Sequence, residues 1–139
     1  MTGPVLTGGR ARLAVPPIGW PLMPVPDADG ALAWPDFAAS VRQMIEVILR
    51  TAPGEQLMRP AFGAGLEALV NKPNTLTTRA EAQDSILAAL RTYEPRVIVD
   101  RLDVDPGQDP REVIVTLACR LSLTGDVLQI QAAVPVGSA

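Results

Sequence analysis

Two carboxylates stand out as groups able to do chemistry. Glu55 follows Pro53-Gly54 and Glu94 precedes Pro95, and a glycosidase needs one carboxyl as acid and a second as base or nucleophile about 5–10 Å away. They are the leading pair because the chain has no histidine. That absence removes Ser-His-Asp and Cys-His nucleophiles, histidine-ligated zinc and imidazole general bases together. Each carboxylate also has a plain structural use, Glu55 in the loop that ends a helix and Glu94 in a last helical turn where Arg96 can pair with it. Catalysis would further require a cleft and an acid retuned by burial, so the structural roles are the favoured ones. Gly63-Ala64-Gly65 lacks the Gly-Lys-Ser/Thr ending of a phosphate loop, and the single lysine, Lys72, stands before Pro73. Cys119 is the only cysteine. It allows no intrachain disulfide or multi-thiolate metal site, and it falls in an alternating apolar run, as a small buried hydrophobe does. No cofactor or metal is expected.

Arginine is the more informative residue type. Arg59-Pro60-Ala61-Phe62-Gly63 and Glu94-Pro95-Arg96 each set a guanidinium beside a rigid proline at the border of a helix, which lowers the entropy lost when it meets a carboxylate or backbone carbonyls. Two readings stay open: an interface with another protein, or an internal tie between a loop and a helix end.

The elements that must position these residues are legible in outline. Seven of the 14 prolines lie in the first 35 residues, which rules out a regular helix or central strand there and predicts an extended arm. Within it Ile18, Trp20, Leu22 and Met23 form an apolar cluster, followed by turn residues Asp27 to Gly30. Pro35 suits a first helical position with Asp36 beside it at the positive end of the dipole. Phe37, Val41, Met44, Ile45, Ile48 and Leu49 then repeat on one helical face until Pro53-Gly54. Leu66 to Val70 forms a further helical turn or two. A second helix starts with a capping box, Thr78-Arg79-Ala80-Glu81, runs along Ala82, Ile86, Ala89, Leu90 and Tyr93, and stops at Pro95.

Beyond Pro95 the period becomes two. Strands are expected over Arg96 to Val104, over Val113 to Leu123 with Cys119 on the apolar face, and over Leu128 to Val136 with Leu128, Ile130, Ala132, Val134 and Val136 on one face. Pro135 suits an edge. The fold class is therefore α+β: two main helices packed on a C-terminal three-stranded antiparallel meander, with an extended Pro-rich N-terminal arm. The arm takes residues 1–35 and a single domain 36–139, with helices in 36–95 and strands in 96–136. Two helices do not fully cover a sheet of long strands, and an uncovered edge invites a partner strand.

Composition fits one ordinary core: 139 residues, 47% apolar, 19% charged. A net charge of −3 supplies no field for gripping nucleic acid. Met1 to Arg12 has no apolar signal-peptide core, and charges interrupt every apolar stretch before membrane-spanning length. The expectation is a soluble chain in a reducing compartment, partnered by neither nucleic acid nor membrane.

Taken in order, Gly19-Trp20-Pro21-Leu22, Asp29-Gly30, Ile48-Leu49-Arg50-Thr51 with Gly54-Glu55, Arg59-Pro60-Ala61-Phe62-Gly63 and Glu94-Pro95-Arg96-Val97, ending in the strand meander, resemble the baseplate wedge or sheath-initiator proteins of contractile phage tails and contractile injection systems. This is the family once named for a gene-product-twenty-five-like lysozyme. The likeness spans about Ile18 to Val136 and departs at Gln56, where the family often has arginine. It implies a structural virion or injection-particle component rather than an enzyme, assembled in the cytoplasm and present in several copies in a sixfold baseplate. It further implies that Glu94, Pro95, Arg96, Arg59 and Phe62 meet the wedge core. Leu128, Ile130 and Val134 would mark a strand edge that initiates the sheath by β-augmentation. Wedge core proteins, sheath subunits and tube or hub proteins are the implied partners. The older family name carries the rival expectation, a peptidoglycan-cleaving enzyme using Glu55 and Glu94. A small interaction domain unrelated to tails is the third reading.

Overall fold

The computed structural model describes residues 25–26, 28–33 and 35–137. The apolar cluster Ile18 to Met23 and most of the expected arm lie outside them. Of the arm, β1 (Val25–Pro26) and β2 (Leu32–Ala33) pair as a small antiparallel hairpin. Gly30 takes a positive φ of 79° in its turn, as the turn residues predicted.

Helix α1 spans Phe37–Arg50. Asp36 is its N-cap, accepting the Ala39 N–H at 2.7 Å, so Pro35 stands one residue before the cap rather than at the first helical position. The carboxylate can reach that free N–H only from the cap itself. Val41, Met44, Ile45, Ile48 and Leu49 are buried and Phe37 packs partly against them, the face the periodicity predicted. A 3₁₀ helix, Leu66–Asn71, puts Leu66 and Leu69 into the same core.

Helix α2 spans Leu76–Tyr93. It starts before the predicted box: the Thr75 hydroxyl accepts the Thr78 N–H at 3.2 Å. Thr78 lies buried in the first turn, its hydroxyl 3.0 Å from that of Thr75. Glu81 is turned outward to Lys72, 2.6 Å away. Only Thr78 has a glutamate three residues on, but its burial inside the first turn leaves the cap to the Thr75 hydroxyl.

Strands β3 (Val97–Pro106), β4 (Glu112–Leu121) and β5 (Val127–Pro135) form one antiparallel sheet in that order. β3 runs past Val104 to Pro106, which opposes Val113. The Glu112 carbonyl beside that pair bonds to Gly107, so Pro106 faces β4 where no N–H is required. A bulge between Val99 and Arg101 shifts β3's parity and keeps Val97, Val99, Leu102 and Val104 all toward the core. β4 stops at Leu121 because Leu121 N donates to Asp126 O and Gly125 N to Leu121 O, closing the hairpin. Leu123 therefore leaves the apolar row and is 58% exposed, unlike the expectation.

The core lies between the inner sheet face and the helices. Val113, Val115, Leu117, Cys119 and Leu121 of β4 meet Leu128, Ile130 and Val134 of β5, with Ile86 and Leu90 of α2 and Ile45 and Ile48 of α1. The outer sheet face carries small and polar residues such as Thr116, Ala118, Gln129 and Gln131, the alternation of a sheet packed on one side only.

Candidate functional site

The Glu94-Pro95-Arg96 segment is built around the end of α2. Glu94 is the C-cap, its N–H donating to Leu90 O at 2.9 Å. Its carboxylate, 1% exposed, accepts Arg96 Nε at 2.6 Å and Nη2 at 2.5 Å. Pro95 between them restricts the backbone, so the fork can close on a residue only two positions away. The same guanidinium reaches Ser40 Oγ at 3.3 Å and stands 5.7 Å from the Phe37 ring centroid, both on the first turn of α1. Arg96 O also accepts Ser122 N at 2.8 Å. One arginine thus ties the end of α2, the start of α1, the entry to β3 and the β4–β5 hairpin. Of the two readings the sequence left open, the internal tie describes Glu94 and Arg96. Pro95 alone of the three is exposed.

The second segment is also anchored inward, and it leaves a surface. Phe62 is 1% exposed and packs on Tyr93, centroids 4.9 Å apart. Tyr93 in turn donates its hydroxyl to Ala61 O at 2.6 Å. Arg59 lies over both rings, 4.3 Å from Phe62 and 5.5 Å from Tyr93. Gly63 lets the loop run against the end of α1. Its φ is 115°, and a Cβ there would sit 2.0 Å from Thr51 O. That approach lets Ala64 N reach Ile48 O at 2.9 Å, satisfying a carbonyl at the helix end.

Above this anchored base stands the feature the sequence reading missed. Leu57 and Met58 are 94% and 98% exposed, and Met58 is in the left-handed region at φ 68°, a conformation that costs a side chain with a Cβ. Two large apolar residues between Gln56 and Arg59, belonging to no periodic run, were the available signal.

The carboxylate pair does not form a catalytic arrangement. Glu55 turns back to accept Ala52 N at 2.9 Å, and both oxygens of Glu94 are occupied by Arg96. Neither residue lines the groove beside β5. That groove, about 400 Å³, runs between α1, the 3₁₀ helix and β5, lined by Leu49, Leu66, Val70 and residues 130–135. Leu128, Ile130 and Val134 point inward, each 6–9% exposed, so their side chains are core and β5 can offer only its backbone edge and outer face. Cys119 is wholly buried. Burial pushes its thiol above the ordinary value, Asp100 adding to the shift and Arg42 opposing it.

The model of the family described as baseplate wedge protein gp25 matches residues 36–126. Baseplate protein W of Escherichia phage P2 is 29% identical over 90 residues, covering 65% of this chain and 77% of that protein. Among solved structures, a proposed tail lysozyme from Geobacter sulfurreducens superposes with a TM-score of 0.70 at 23% identity, covering 76% of this chain and 96% of that one. A chain of the anti-feeding prophage baseplate gives 0.55 at 18% identity over 81% and 79%. Both structural likenesses establish a shared fold.

Proposed function

The chain belongs to the gp25 family of baseplate wedge proteins, structural components of contractile-tail baseplates, and from that membership we propose that it is an adaptor without enzymatic activity, seated on the wedge core and starting the first sheath ring by strand addition. The observation that carries the sheath half is the edge position of β5, with no strand beside it among the described residues and an apolar groove alongside. The wedge half rests on the exposed Leu57-Met58 tip, held by the Arg59, Phe62 and Tyr93 stack. Fully exposed apolar pairs on a braced loop suit burial by a partner. Glu94, Arg96 and Phe62 act from behind by fixing that loop and the helix ends, while Arg59 and Pro95 are the members able to touch the wedge.

A glycosidase reading is disfavoured by the occupied Glu94 carboxylate and the back-turned Glu55. The experiment is complementation of a host lacking the gene with Leu57→Asp/Met58→Asp. The expected result is folded protein absent from purified baseplates. Normal incorporation of the variant contradicts the wedge half, and release of glycan fragments from peptidoglycan by the purified wild type contradicts the non-enzymatic reading.

A further inference from the structure

The free edge of β5 is open over only part of its length. In an antiparallel sheet each residue turns both backbone groups either toward a given neighbour or away from it, in alternation. Val136 N donates to Arg111 O at 2.7 Å, whereas Gln129 O accepts from Arg42 Nη1 at 3.4 Å. Even-numbered residues of β5 therefore bond to β4, and the odd-numbered ones, Val127 to Pro135, face the free edge. At two odd positions one of the two backbone groups is already closed. Arg42 holds the Gln129 carbonyl, and Pro135 has no N–H to give, the placement an edge proline requires. Among the described residues Val127, Gln131 and Ala133 keep both groups available, but Val127 lies beyond the Arg42 contact, and only Gln131 and Ala133 border the groove.

The opposite edge is less accessible. Gln83 Nε2 on α2 donates to Leu102 O at 2.9 Å, and the bulge between Val99 and Arg101 interrupts the ladder. The groove has aliphatic lining from Leu49, Leu66 and Val70, with Glu46 and Glu67 set against a single base, Arg50. None of those three charged residues is in an ion pair among the described residues.

Resting on the strand-addition reading, we propose that the incoming strand pairs only with Gln131 and Ala133, its register bracketed by Arg42 and Pro135. Its chemistry follows from the groove: an extended segment with aliphatic side chains facing Leu49, Leu66 and Val70, and a lysine or arginine at the rim meeting Glu46 and Glu67. Arg42 is a specificity residue, closing the Gln129 carbonyl to longer pairings.

Amide hydrogen exchange of the full chain, free and within sheathed particles from its native host, tests this. The Gln131 and Ala133 amides should slow by about tenfold or more on assembly while Val127 and Gln129 keep their free rates. Protection spread over the whole edge, or confined to β3, overturns the bracketed register and leaves strand addition standing. No new protection on either edge overturns strand addition itself. Gln131→Pro removes an outward donor without touching the β4 ladder and should cut the yield of sheathed particles by about tenfold, whereas Gln129→Pro should leave it unchanged. Equal effects of two variants with wild-type unfolding midpoints overturn the register. Glu46→Lys/Glu67→Lys should lower that yield as well, and an unchanged yield removes the basic side chain from the account.

Discussion

Removing the Arg96 guanidinium would leave the Glu94 carboxylate buried with no cation, and the cost of stranding a charge is larger than the net worth of the pair. Arg96→Ala should lower unfolding stability by about 3–5 kcal/mol in urea titrations. A loss within about 0.5 kcal/mol, as for a surface arginine, would show that the tie to Ser40 and α1 has been misread. Gly63 is constrained by space as well as by φ: Gly63→Ala drives a Cβ into Thr51 O and should cost at least about 2 kcal/mol by the same measurement. Cys119 gives a pH signature. Its thiol is raised in the folded state, so folding favours the neutral form. Its contribution is fully present below the ordinary thiol value and is lost as pH rises above it. Alkylation at pH 8 should be negligible in the native protein and rapid in urea, and Cys119→Ala should flatten the alkaline decline in stability. The residue types at this scale were all visible in the sequence. The Glu94–Arg96 pair could be read from their spacing, but the contacts of Arg96 with Ser40 and of Gly63 with Thr51 could not, because those partners lie on a different element of the chain.

Elements were legible wherever a period was long and one-sided. The α1 face and the β4 alternation follow directly from the spacing, since a buried face of 3.6- or 2-residue period leaves little freedom. Boundaries were less so. Thr75 and Thr78 both offer a cap hydroxyl, and only packing shows that the second is inside; Thr75→Ala should therefore destabilise α2 by about 1 kcal/mol in thermal unfolding. The bulge in β3 was hidden because a bulge leaves no residue signature of its own. The 54–60 loop was read for its arginine and proline, while its exposed tip went unnoticed, since exposure cannot be read from two apolar letters. Met58→Gly separates fold from function at this tip. Relief of the left-handed strain should raise stability by about 1 kcal/mol, yet wedge incorporation should fall. Reduced stability with intact incorporation would show that the conformation serves the fold instead.

At the scale of the whole molecule, the chain is a one-sided sheet. Helices, the 3₁₀ segment and the docked Gly137, whose N–H reaches Leu69 O at 3.1 Å and Lys72 O at 2.9 Å, close the inner face. Among the described residues the outer face and part of the β5 edge are uncovered. That openness accords with membership of a family of baseplate proteins. The fold class was legible because both main helices precede the three long strands β3 to β5 without alternating with them, a pattern that excludes parallel crossovers. The surfaces were only partly legible, because the residues expected to touch partners, Phe62, Glu94, Leu128, Ile130 and Val134, turn out to hold the scaffold.

The most direct measurement is cryo-electron microscopy of contractile particles purified from the native host through a tag on this chain. The chain should appear in the baseplate, with its 57–59 loop against the wedge and a foreign strand beside Gln131 and Ala133 at the first sheath ring. Recovery of the chain alone, or its location away from the boundary between baseplate and sheath, would contradict the adaptor role.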